Sequence, residues 1–125
     1  MTKNQVNKLS WILRISIAGT YIGHGMFAIL GYQSWYRYLQ VVGIAMEPAK
    51  SMVVGIGYLD LLISFAILIK PHKYLLAWAV IWAFSTALIR PFAGEPIWAF
   101  VERAANWAAP LVLLFILKHT ENKRY

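Results

Sequence analysis

The chain has 125 residues, 60% of them hydrophobic and 14% charged, with a net charge of +7 and no cysteine. Mean hydropathy is +0.56. Soluble domains carry about 45–50% apolar and about 25% charged residues, so the composition excludes an ordinary soluble domain and points to a membrane. Without cysteine there are no disulfides, thiol nucleophiles, Cys-ligated zinc or protein-held iron–sulfur clusters. A redox role would need a cofactor, a lipid-soluble substrate or a partner protein. The basic residues lie mostly in tails and loops, and no nucleic-acid-binding motif accompanies them.

Four apolar runs, roughly 9–30, 52–69, 74–90 and 97–117, each approach the ~20 residues needed to cross ~30 Å of hydrocarbon. They predict an all-α integral membrane four-helix bundle in a single domain. The first run carries Arg14 and the segment "GTYIGHGMF". Arg14 either snorkels to the headgroups or binds an anionic group within the bundle. Gly19 and Gly23 are spaced for a close helix crossing. His24, flanked by glycines, faces either a ligand or a neighbouring helix.

The first connection, "YQSWYRYLQVVGIAMEPAK", is long and far from polar. Trp35, Leu39, Val42 and Met46 recur at helical spacing. They predict a short amphipathic helix between the first two spans, either in the interface or as a lid over the bundle. Trp35, Tyr36 and Tyr38 suit the headgroup level. The second span places Asp60 near its middle. "KPHK" (residues 70–73) is a tight turn, with Pro71 ending the helix before it. The third span is uncharged until Arg90, and "PFAGEP" (residues 91–96) turns into the fourth. Short turns predict antiparallel neighbours.

The fourth span carries Glu102, Arg103 and Asn106. At ~1.5 Å per helical residue, His24, Asp60, Arg90, Glu102, Arg103 and Asn106 all fall in the outer half or centre of the bilayer. A charge at helix centre costs about 2.5–3.5 kcal/mol on insertion scales, so these groups should point inward and pair. The expected pairs are Asp60 or Glu102 with Arg90 or Arg103. The six residues then form an outward-facing polar pocket, with Arg14 as a secondary position, or else they lock helix register. Trp78, Trp82, Trp98 and Trp107 are packing and interface anchors, although an aromatic pocket with a few polar groups suits a flat ring such as a quinone. No metal is expected, since no His- or Glu-rich ligand motif occurs and His72 and His119 sit at the opposite edge from His24.

Lys3, Lys8, Lys70, Lys73, Lys118, Lys123 and Arg124 fall on one side of this four-span arrangement, and Arg37, Lys50 and Arg90 on the other. The positive-inside rule then puts both termini in the cytoplasm.

Arg14, the segment from Gly23 to Phe27, the amphipathic connection and the stretch from Gly55 to Asp60 together resemble the DoxX-like family of small bacterial membrane proteins. The resemblance implies a multi-pass inner-membrane protein tied to redox metabolism. It carries over Arg14, His24 and Asp60 as motif positions, with no catalytic role assigned. Thiol–disulfide chemistry found in some relatives has no cysteine here to support it.

The resulting expectation is a redox-associated accessory protein binding a quinone or other small molecule, if an enzyme then a quinone-linked oxidoreductase subunit. Its partners would be the bilayer, a membrane or redox protein, or further copies of itself. A second expectation is a non-catalytic interaction subunit that docks through Gly19 and Gly23. A third is a proton-coupled transporter of a small solute.

Overall fold

A computed structural model describes residues 1–123; Arg124, one of the basic residues behind the expected orientation, lies outside them. The chain is helical, with α1 at Lys3–Ile29, α2 at Gln33–Val41, α3 at Met46–Ile69, α4 at Lys73–Phe92, α5 at Trp98–Val101 and α6 at Ala104–Asn122. Among the described residues, four segments are long and apolar enough to cross a membrane: α1, α3, α4 and the combined stretch Trp98–Asn122. Leu62, Phe65, Ile81 and Phe115 are exposed on the outside of the bundle. Such an apolar surface suits lipid.

The termini of the helices explain where the expected boundaries shift. Thr2 Oγ1 accepts from the Gln5 N–H and Gln5 Oε1 accepts from the Thr2 N–H. This reciprocal cap starts α1 two turns before the apolar run. α3 begins at Met46, so Met46 belongs to α3 and not to the amphipathic helix. Pro48 is no obstacle there, since first-turn N–H groups have no intrahelical acceptor in any case. Glu47, also in the first turn, suits the helix dipole.

The fourth span is interrupted rather than continuous. Between α5 and α6 the hydrogen bonds tighten, from Glu102 N–H to Trp98 O, then Arg103 N–H to Phe100 O and Asn106 N–H to Arg103 O. Pro110 lies in the first turns of α6 and cannot donate to the Asn106 carbonyl. Arg103 donates to Ala99 O at 2.7 Å, satisfying a carbonyl at the break.

The helices form a ring in the order α3, α1, α6, α4. α1 and α3 meet where glycines let backbones approach: a Cβ at Gly25 would lie 2.7 Å from Gly57 O, and one at Gly57 would lie 2.7 Å from Gly25 O. At Gly19 and Gly23 a Cβ would meet nothing within 4 Å, so the expected close crossing lies elsewhere on α1. The core runs through Ile17 and Tyr21 of α1, Ile63 and Ile67 of α3, Leu76 and Ala79 of α4, and Leu113 and Leu114 of α6.

α3 and α4, although joined by a three-residue turn, touch little, because α3 is drawn to α1 and α4 to α6. The ring is therefore open between them. α2 lies across that opening and touches both.

Candidate functional site

The opening between α3 and α4 is a cleft of about 220 Å³ beneath α2. α2 contributes Trp35, Tyr38 and Leu39, and α3 contributes Val53 and Ile56. From α4 come Trp82, Ser85, Thr86 and Arg90, spaced along one face at three to four residues. The walls are mainly apolar and aromatic, with polar groups gathered on the α4 side. Thr86 uses its hydroxyl on Ala83 O. Ser85 is exposed at the edge of the cleft.

Arg90 closes the outer end of the cleft. It stands in the last turn of α4, where a cation suits the helix dipole. It is 9% exposed. Its Nη1 donates to Tyr38 Oη at 2.8 Å and lies 3.5 Å from Glu95 Oε1. Tyr38 donates in turn to Glu95 Oε2 at 2.8 Å. Burial, reinforced by the hydrogen bond to Glu95, pushes the Tyr38 phenol up to about 12, so it remains a neutral donor at physiological pH. Glu95 reaches this group because Gly94, at φ +93, reverses the chain after α4 while Glu95 N–H bonds back to Arg90 O.

Arg90 Nε is buried and has no hydrogen-bond partner among the described residues. A buried unsatisfied donor costs about 1–3 kcal/mol, more for a charged group. Arg90 stands in the wall of the cleft, so a ligand's oxygen that reached this covered donor would complete it.

Beyond the Arg90–Tyr38–Glu95 cluster lies a second cavity, polar and about 350 Å³, lined by Gln33, Ser34, Arg37, Gly94 and Glu95. Tyr38 lines both cavities.

The six sequence-nominated residues do not converge on one pocket. Arg90 is in the cleft wall. Asp60, 1% exposed, stands behind it, and its Oδ1 accepts from Trp82 Nε1 at 3.2 Å. Asp60 therefore fixes the indole that lines the cleft rather than lining it itself. His24 is half-buried and packs edge-on against Trp35, ring centres 5.5 Å apart, on the far side of that wall. Glu102 and Arg103 pair with each other at the α5–α6 break, where Glu102 is largely exposed. Asn106 sits one turn further along α6, half-buried and outside the cleft. Neither expected acid pairs with Arg90; its carboxylate is Glu95, brought close by the turn, whereas Asp60 is engaged by Trp82, further back along α4.

Arg14 does not line the cleft. Its guanidinium donates to the carbonyls of Ile67, Leu68 and Ile69, capping the C-terminus of α3, and stacks 3.9 Å from the Trp11 ring centre.

Tyr38, Glu95 and Trp82 were missed as site residues. Tyr38 reads as a headgroup anchor, Glu95 as a turn residue and Trp82 as packing. One local signal was present: in "RPFAGE" a glycine turn separates a membrane-depth Arg from an acid five residues on. No group of three His, Asp or Glu side chains that could hold a metal occurs among the described residues. No protein-family model, curated protein or solved structure matches the chain.

Proposed function

We propose that this multi-pass membrane protein binds a flat, carbonyl-bearing, lipid-soluble molecule of the quinone class in the cleft beneath α2, as an accessory to membrane redox chemistry. The carrying observation is the unpartnered Arg90 Nε in the wall of an otherwise apolar, aromatic cleft. Trp35 and Trp82 offer aromatic walls, and Arg90 offers a charged donor to a carbonyl oxygen. The cleft is large enough for a single ring, and an attached tail would lie in the lipid beside exposed Ser85. The reading follows the DoxX-like resemblance and includes a bacterial inner-membrane location as part of the proposal. Positive charge at the chain ends and in the Lys70–Lys73 turn favours cytoplasmic termini, with α2 and Glu95 on the outer side.

Titration of the bilayer-embedded protein with a short-chain quinone, read by tryptophan fluorescence, tests the proposal. Saturable quenching at one quinone per chain is the expected result. Quenching that rises linearly with membrane quinone content would remove the ligand reading.

A second reading has its own observation. Asp60, Glu102, Arg103 and Arg14 are all engaged in contacts that fix helices, and the Gly19–Gly23 face of α1 is open. An interaction subunit would use that face for a partner protein. Loss of a co-purifying protein in Gly19→Leu/Gly23→Leu, with quinone binding intact, would favour it.

A further inference from the structure

α2 is attached to the bundle unlike any other helix of its length or longer. Its single buried residue is Tyr38. Its inward-facing Trp35 and Leu39 border a cavity instead of a filled core. Each end is joined through a left-handed glycine, Gly31 at φ +77 and Gly43 at φ +91. The polar tie that holds it down is the Tyr38 hydroxyl, between Arg90 on α4 and Glu95 on the following turn. That hydroxyl also stands between the two cavities, the apolar cleft below and the polar one outside.

We infer that α2 is a hinged gate, latched by Tyr38 on Arg90 and Glu95, whose release joins the membrane-facing cleft to the outer aqueous cavity. A molecule loaded from the lipid could then present its polar end to the outer water without leaving the bundle. This would bring it within reach of a water-soluble reactant or partner on that side. Gln33, Ser34 and the Arg37 guanidinium, which has no ion pair among the described residues, line the far side of the gate and suit a polar or anionic group. The role given to the cleft rests on the ligand reading above, but the gate itself is a property of the chain and is testable without ligand.

The absence of native cysteine makes that test clean. Thr86→Cys places a thiol in the cleft, and Ser34→Cys places one in the outer cavity. In bilayer nanodiscs, each is treated with a negatively charged, membrane-impermeant thiosulfonate. With the latch intact, Cys at 86 should react at least about tenfold more slowly than Cys at 34. Adding Tyr38→Phe, which removes one oxygen and keeps the ring, should speed modification at 86 by about tenfold and leave 34 unchanged. Gly43→Ala should act in the same direction, because a Cβ there meets no neighbour and opposes the closed backbone through its φ alone. If Tyr38→Phe fails to assemble, Glu95→Gln with Gly43→Ala carries the comparison. Rates at 86 within twofold of each other with and without the latch would overturn the gate. Accelerated labelling in a protein that binds no quinone would keep the gate and remove the ligand.

Discussion

Trp82 donates its indole N–H to Asp60 at 3.2 Å, joining the middle of α4 to the middle of α3 behind the cleft wall. The two helices otherwise touch little, so this bond sets the orientation of an aromatic cleft wall. Asp60→Asn keeps an oxygen acceptor and should leave the melting temperature in detergent within a few degrees of the parent. Asp60→Ala strands the indole N–H and should cost about 1–3 kcal/mol, with a shifted tryptophan emission. Equal melting and emission for the two variants would show that the bond does not position Trp82.

Arg14 satisfies carbonyls at the end of α3 that a helix leaves unpaired. Arg14→Ala should destabilise the fold by about 1–3 kcal/mol. Arg14→Lys should recover part of that loss, since an ammonium lacks the planar fork that reaches several carbonyls together. Amide exchange over the last turn of α3 should accelerate in Arg14→Ala and much less in Arg14→Lys. Unchanged exchange there would contradict the capping role.

The α1–α3 contact predicts a sharp contrast among glycines. Gly57→Ala brings a Cβ to 2.7 Å from the Gly25 carbonyl oxygen, so the backbones must separate. It should destabilise the bundle by about 1–3 kcal/mol, the range of overpacked cores. Gly19→Ala has open space and should be neutral or stabilising by up to about 1 kcal/mol. Thermal unfolding of both variants checks the contrast, and a Gly19→Ala loss as large as that of Gly57→Ala would contradict the assignment of the crossing.

The spans were legible because twenty-residue apolar runs have few alternatives, and the amphipathic stripe of Trp35 and Leu39 announced α2. α3 starts before the apolar run at Met52, because Pro48 is harmless in a first turn. The break at Glu102–Arg103 was hidden because its neighbours are as apolar as those of an unbroken helix. Arg90 and Asp60 stood out by cost alone, as charges at membrane depth. Their partners did not. Tyr38 and Arg90 are 52 residues apart, and Asp60 and Trp82 are 22 apart across a turn. Pairing at those separations is decided by which helices pack, and the glycines at Gly25 and Gly57 decide that by pulling α3 toward α1. Helical rise alone placed all six polar groups in the outer half or centre of the bilayer but could not say on which side of a helix neighbour each would fall.

The most direct test of the binding cleft is equilibrium titration of the nanodisc-embedded protein with a short-chain quinone, comparing the parent with Arg90→Lys. Lysine retains a cation for Tyr38 and Glu95 but lacks the buried Nε donor. The account predicts saturable binding at one quinone per chain in the parent, weakened at least about tenfold in Arg90→Lys while melting temperature changes little. Saturable binding of equal strength in both proteins, or none in the parent, would contradict it.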